Sequence, residues 1–248
     1  MSDARQGPAY GVIVAAGASE RMAGTDKVFA QLAGRPLIAW TLRAFQLCDD
    51  VAGVVVVASP ASVERMRRLV AEWRFTKVTG VVAGGAQRQD SVLEGVNAAV
   101  GATIVAVHDA ARPLVTPQMV AQGIALARET GAAVCGVPAR DTVKEVEGDP
   151  PVVRATPDRK RIWLAQTPQV FERALLLEAH ERASTAMTDD ASLVEAIGHP
   201  VRMYVGDPLN IKVTVEEDLL IAETLIRARL SASPPAQALP DLPPPAPG

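Results

Sequence analysis

The residues with chemical potential begin at Gly17, Ser19, Arg21 and Lys27. Just before them, residues 11–15 (Gly-Val-Ile-Val-Ala) are short, apolar and β-branched, which reads as a buried strand. Residues 16–19 then become small. Small side chains let a backbone come close to a ligand, and successive free N–H groups in such a turn form a concavity suited to an anion. Arg21 and Lys27 add two positive charges just beyond it. Strand, small-residue loop and cations make a layout for holding a polyphosphate. Two standard phosphate loops are excluded. The Walker A string is absent. The dinucleotide fingerprint needs three spaced glycines, and only Gly17 is in register. Taken alone, the stretch is equally well read as an ordinary βα turn.

Polar residues collect after two later apolar runs as well. Gly84, Gly85, Gln87, Arg88, Asp90 and Ser91 form one group, and His108, Asp109, Ala110, Ala111, Arg112 and Pro113 another. Ligands of open α/β sheets bind beyond the carboxyl ends of the strands, so three such loops on one edge point to a site. Asp109 ends an apolar strand, and a carboxylate there needs a partner, a ligand or a metal. His108 reads as a satisfied structural histidine rather than a base. Lys212 stands between Ile211 and Val213 in a stretch that reads as an apolar strand, where a lysine needs a partner. Blander readings exist for the others. Arg88 could be a solvated loop charge, and Asp90 or Ser91 a helix cap. Arg140, Asp141 and Thr142 could be the polar face of a hairpin, and Arg159, Lys160 and Arg161 a solvated run.

Composition narrows the function classes. The chain has 248 residues, enough for one large α/β domain with a substantial core. It is 48% hydrophobic but only 4% aromatic, so Val, Ala and Leu must build that core, as in a buried parallel sheet. A net charge of −3 with no Lys/Arg block argues against nucleic-acid binding by a broad basic face. Cys48 and Cys135 sit in apolar surroundings and read as core residues, compatible with a reducing compartment. His108, His180 and His199 share no metal-ligand spacing. Residues 1–9 hold no apolar signal core, and no run is long enough to span a membrane. The expectation is a cytoplasmic protein with no membrane partner.

The elements that must position these groups follow in order. Helices are expected at 36–47, from Ser59-Pro60 to about 73, at 90–100, 116–130 and 172–183, from 188 onward, and at 214–230. Strands are expected at 51–58, 77–83, 103–108, 131–138, 200–205 and 210–213. Strands alternating with helices of this length indicate a mostly parallel sheet with helices on both faces and right-handed crossovers. From 139 to about 168 the rhythm breaks. Residues 142–147 and 152–155 flank a Gly-Asp-Pro-Pro turn, which suggests a β-arm leaving the sheet. An isolated hairpin is marginal in water, so a second subunit is its simplest support. Thr214 to Glu217 reads as a capping box for the last helix. Residues 231–248, rich in Pro and Ala, read as a disordered tail, and nothing foldable is expected after Leu230.

Seven motifs then occur in register: 12–22 with Lys27, 84–92, His108-Asp109-Ala110-Ala111-Arg112-Pro113, Asp141-Thr142-Val143-Lys144, Gln166-Thr167-Pro168-Gln169, Thr188-Asp189-Asp190-Ala191-Ser192, and Asn210-Ile211-Lys212-Val213-Thr214. Together they resemble the 2-C-methyl-D-erythritol 4-phosphate cytidylyltransferases of the non-mevalonate isoprenoid pathway, over about residues 11–230. The resemblance implies a Rossmann-like nucleotidyltransferase domain at 8–230. It also implies a homodimer whose protruding β-arms, about 139–168, cross into the partner's site.

It implies too that a substrate phosphate oxygen attacks the α-phosphorus of CTP and releases pyrophosphate. A phosphate monoester is largely dianionic at neutral pH, so no general base is needed. The difficulty is bringing an anion up to a polyanion, which fixed cations and Mg2+ relieve. One unit charge at about 4 Å is worth roughly 4 kcal/mol at an effective dielectric near 20. By position, Arg21 and Lys27 would stabilise the reacting phosphorus and the leaving group. Arg159, from the partner's arm, and Lys212 would position the polyol phosphate. Ala15, Ala16, Gly17, Gly85, Ala86, Ser91 and Ala110 would line the CTP pocket. Asp109, Arg112, Thr142, Thr167 and Thr188 would surround ribose, phosphates and substrate. No protein metal ligand is assigned, and Mg2+ would be held mainly by the CTP phosphates. Four positions depart from the family pattern: Val14 and Asp26, each in place of Pro, Ser19 in place of Gly, and Ala86 in place of an acid. A cytidylyltransferase for another polyol phosphate, such as ribitol 5-phosphate, is the alternative enzyme. A non-catalytic nucleotide-binding protein is disfavoured by retention of all four cations.

Overall fold

The computed structural model describes residues 5–17, 27–183, 185 and 187–232. Ser19, Arg21, Asp26 and most of the Pro-rich tail lie outside the described residues.

Seven strands form one sheet: β1 (Ala9–Ala15), β4 (Val51–Ala58), β5 (Val78–Ala83), β6 (Ile104–Asp109), β7 (Ala132–Pro138), β10 (Trp163–Glu172) and β11 (Arg202–Val205). Their order is β11-β7-β10-β6-β1-β4-β5. β10 is antiparallel to both its neighbours, and all other pairings are parallel. The alternation along the Val-rich strands explains the two-sided core. Val54 and Val56 of β4 face one cluster, while Val55 and Val57 face the other. The first cluster holds α1 (Leu37–Gln46), α2 (Val63–Glu72) and α4 (Pro117–Thr130) against the sheet. The second holds α3 (Arg88–Ala98), α5 (Arg173–Arg182) and α6 (Asp190–Ala196). A third, smaller cluster seats α7 (Glu216–Ala232) on α1 and on β2 (Gln31–Leu32), which pairs with β3 (Arg35–Pro36).

Most expected elements are present, and the differences have local causes. β10 is a full strand of the central sheet, so the excursion from the sheet ends near Ile162 rather than near residue 168. Pro168 within a polar run disguised it, since Pro in a run normally marks an edge. Here the register shifts between Ala165 and Gln169, and the run falls where the ladder is interrupted. The hairpin itself forms: β8 (Glu145–Glu147) pairs with β9 (Val152–Ala155), and nearly all its residues are exposed. The expected strand at 210–213 is not one. That segment is irregular and is tied to the core by a backbone bond from Val213 to Ala111. The helix expected from Ser59 opens with a 3-10 turn at Pro60–Ser62, and the Ser59 side chain makes no capping bond. The last helix is capped by Asp218, not Glu217: its carboxylate accepts from the Thr214 and Val215 amides and the Thr214 hydroxyl.

Two glycines set how closely α3 and its leading turn approach the strands. A Cβ on Gly84 would stand 2.5 Å from Ala16 Cβ and 2.6 Å from Ser91 Oγ. A Cβ on Gly95 would stand 2.4 Å from Val12 Cγ1 and 2.7 Å from Val57 Cγ2. Gly95→Ala gains up to about 1 kcal/mol in helix propensity. Overpacking a dense core costs about 1–3 kcal/mol, and the clash here is with buried strand side chains. The expected result in urea unfolding is a net loss of about 1–2 kcal/mol. A variant as stable as the parent would mean that α3 does not sit against β1 and β4 as described.

Candidate active site

A cavity of about 320 Å³ opens beyond the carboxyl ends of the parallel strands. One wall is the end of β1 and the turn after it: Val14, Ala15, Ala16 and Gly17. A second comes from the β5–α3 turn, with Gly85, Ala86, Gln87, Arg88 and Ser91. Asp109 and Ala111 close the third side, and Lys27 and Lys212 stand at its rim. Nine expected site residues therefore meet in one place: Ala15, Ala16, Gly17, Lys27, Gly85, Ala86, Ser91, Asp109 and Lys212.

The carboxylate of Asp109 is the hub. Lys212 Nζ lies 2.9 Å from Oδ2, Arg88 Nε 3.4 Å from Oδ1, and Arg112 Nε 3.9 Å from Oδ2. Burial alone would raise the Asp109 pKa, but the Arg88 and Lys212 charges outweigh it and hold the group at about 2. Asp109 is thus ionised at neutral pH. Lys212 comes from the irregular 210–214 segment, which neighbouring side chains fix in place. Fully buried Asn210 donates to the Thr167 carbonyl, and Arg112 donates to the Asn210 carbonyl. Gln166 ties the same loop to β10 through the Asp207 carbonyl.

Arg88 is the residue whose role a sequence reading understates. It is no solvated loop charge. Its Nη atoms reach both oxygens of Asp190, at 3.1 and 2.9 Å, while its Nε faces Asp109. Burial would lower the Arg88 pKa, but the two carboxylates outweigh it and raise it further. Asp190 is 1% exposed, and burial pushes its pKa up against the pull of Arg88. Gln169 completes the brace: its Oε1 accepts from the Asp190 and Ala191 amides, and its Nε2 donates to Asp189. Such a two-pronged ion pair fixes geometry as well as charge. Asp90, as one of the blander readings held, caps α3 by accepting from the Gln87 amide.

The remaining expected site residues that the structure describes do not line the cavity. Ala110 is buried behind the wall that Ala111 forms: its amide donates to Val14 and its carbonyl accepts from the Thr41 hydroxyl. Arg112 is half-buried beside Asp109, outside the lining. Thr167 is buried behind Asp109, whose amide it accepts from, and Thr188 is exposed and outside the lining. Thr142 and Arg159 are exposed on the hairpin side of the molecule, where Arg159 donates to the Arg140 carbonyl. Arg21 lies outside the described residues. Cys48 and Cys135 are buried thiols, the second pushed up to about 11 by burial.

The profile of the IspD family, 2-C-methyl-D-erythritol 4-phosphate cytidylyltransferase, matches residues 10–228. The chain belongs to this cytidylyltransferase family. A family enzyme from Dehalococcoides mccartyi strain CBDB1 is 43% identical over 87% of this chain and 95% of its own length. One from Geobacillus kaustophilus is 42% identical over 89% of this chain and 97% of its own. The crystal structure of the Thermus thermophilus cytidylyltransferase superposes with a TM-score of 0.70 at 38% identity, covering 88% of this chain and 98% of that one. The chain is thus a nucleotidyltransferase, and its cavity opens beyond β1, β5 and β6, the edge at which open α/β sheets bind ligands. No described helix is long and apolar enough to cross a membrane.

Acid should weaken the fold in two steps. His108 is fully buried, and burial lowers its pKa to about 4 from 6.5. Between those values the unfolded chain binds a proton that the folded chain refuses, so stability falls as pH drops from 6.5 to 4, by about 3 kcal/mol. The Asp109 contribution is present above 3.8 and is lost as pH falls towards 2. Denaturant unfolding at about pH 7, 5.5 and 4 should show the first step. His108→Gln should flatten it, and an unchanged slope in that variant would remove His108 as its source.

Proposed function

We propose that this chain transfers CMP from CTP to 2-C-methyl-D-erythritol 4-phosphate, giving 4-diphosphocytidyl-2-C-methyl-D-erythritol and pyrophosphate. The observation that carries the reading is the cavity in which Lys27, Lys212 and Arg88 gather against walls of Ala and Gly. Small walls admit a planar base and a triphosphate close to backbone donors. The cations then face the phosphates. The attacking phosphate oxygen bonds to the α-phosphorus, the bond to the bridging oxygen breaks, and the electron pair leaves with pyrophosphate. Lys27, with Arg21 beside it in sequence, offsets charge on the reacting phosphorus and leaving group. Lys212, steadied by Asp109, holds the polyol phosphate in line for attack.

A Mg2+ ion would be held mainly by the triphosphate. Asp109, the carboxylate in the cavity lining, is already taken up by Lys212 and two arginines. Among the described residues, no group of three or more His, Cys, Asp or Glu side chains could hold a metal. Bound through phosphate oxygens, the ion would neutralise charge developing on them.

Two chains complete the site. Thr142 and Arg159 are exposed at the base of the hairpin and do not line their own chain's cavity, and Val146, Val152, Val153 and Leu164 are each more than half exposed there. A homodimer formed through these arms would cover that apolar surface and bring Thr142 and Arg159 to the partner's cavity.

Lys27→Ala should lower turnover by a factor of roughly 100 or more, about 3 kcal/mol, with the circular dichroism of the parent. Pyrophosphate release with CTP should strongly favour methylerythritol phosphate over ribitol 5-phosphate, and the opposite preference would move the protein to another substrate. Crossed arms are tested by mixing Lys27→Ala chains with Arg159→Ala chains, each nearly inactive alone. A mixed dimer then holds one intact site, and activity should return on mixing. No recovery, in dimers shown to have exchanged subunits, would place Arg159 outside the partner's site.

A further inference from the structure

His108 and Thr167 carry no group into the cavity, yet between them they hold both ends of the turn that supplies Asp109, Ala111 and Arg112. The Asp109 amide donates to Thr167 Oγ1 at 3.2 Å. Thr167 Oγ1 lies 2.9 Å from His108 Nδ1. At the far side of the ring, Nε2 lies 3.2 Å from the Arg112 carbonyl oxygen. His108 is 0% and Thr167 5% exposed, so water does not compete for these bonds.

With Thr167 Oγ1 and the Arg112 carbonyl as its partners, the neutral ring has one consistent set of protons. A carbonyl oxygen can only accept, so Nε2 must carry a hydrogen. A fully buried ring with its pKa lowered by burial is neutral, so Nδ1 is then bare and can only accept. Thr167 must therefore donate its hydroxyl hydrogen to Nδ1 and accept from the Asp109 amide with a lone pair. The chain runs in one direction, from Asp109 N–H through Thr167 O–H to His108, and from His108 N–H to the Arg112 carbonyl. α1 holds the ring from outside. Phe45 packs on it with ring centroids 5.5 Å apart, and Thr41, one turn earlier, holds the Ala110 carbonyl. Room for Phe45 exists because Gly11 lacks a Cβ, which would stand 2.6 Å from the Phe45 ring. The charged groups on His108 are Asp109 and Arg112, from its own strand end and turn.

We infer that His108 and Thr167 are a pair of positioning residues that set the Asp109 carboxylate, and through it Lys212, and that Thr167, oriented by His108, acts through the Asp109 backbone rather than by touching substrate. The inference rests on the cytidylyltransferase reading for its effect on rate, but not for its effect on the ring.

The test uses the full-length protein. In nitrogen–proton correlation spectra of histidine-labelled protein at neutral pH, His108 should be a neutral ring protonated at Nε2. An Nδ1-protonated or charged ring would overturn the pair. In Thr167→Val the Nδ1 signal should move towards that of an unbonded ring, and an unmoved signal would overturn it too. Thr167→Val should lower kcat about 10- to 100-fold, as a displaced catalytic group does, and Thr167→Ser should recover most of that loss. The deciding measurement is the cycle of Thr167→Val, His108→Phe and the double variant, each checked for a parent-like unfolding transition. Losses that do not multiply place both residues on one path. Losses that multiply mean that Thr167 meets the substrate independently. If the wild-type protein releases no pyrophosphate with either polyol phosphate, the functional reading fails while the spectra still decide the ring.

Discussion

Asp109 carries its negative charge at the end of a strand whose residues are all buried, and that charge cannot stand alone there. It is met by Lys212 from near the end of the chain, by Arg88 from the start of α3 and by Arg112 from its own turn. Desolvating a carboxylate costs several kcal/mol, so the geometry is stable only while those cations stay close. The same contacts keep the cations from scattering under their mutual repulsion. Asp109 thereby ties three separate segments together, and two of its three cations, Arg88 and Lys212, line the cavity.

The rest of the fold serves that arrangement at one remove. The two-sided valine core fixes where β1, β5 and β6 end, and so where their loops begin. Gly84 and Gly95 let α3 come within van der Waals contact of the strands, which brings Arg88 and Ser91 to the cavity wall. Asp190, braced by Gln169, then sets the direction of the Arg88 guanidinium. β10 is the unusual member of the sheet. Its polar run Gln166, Thr167 and Gln169 is buried, and each side chain spends its hydrogen bonds fixing a different site loop. An apolar strand in that place would pack as well but would leave those loops without anchors.

Much of this was legible beforehand because it is local. Strand and helix periodicities and the helix starts near residues 116 and 188 depend on residues within a few positions of one another, and they stand within about two residues of where the pattern put them. The need of Asp109 for a partner followed from burial alone. The errors were also physical. β10 was hidden because Pro168 and the polar residues around it contradict a central strand unless their partners are known. The 210–213 stretch looked like a strand because Ile211 and Val213 are apolar, but Val213 packs beneath α7 rather than into a ladder.

The sequence by itself determined the α/β class, the loops that end at one edge of the sheet and the kinds of charge gathered there, because each is written in short-range pattern. It also carried the family, through seven motifs in register. Only the tertiary structure decided that Arg88 meets a carboxylate 102 positions away, that Thr167 holds the Asp109 amide, and that Lys212 answers Asp109. Those pairings are set by which strands are neighbours and which faces they share, and no local pattern encodes that.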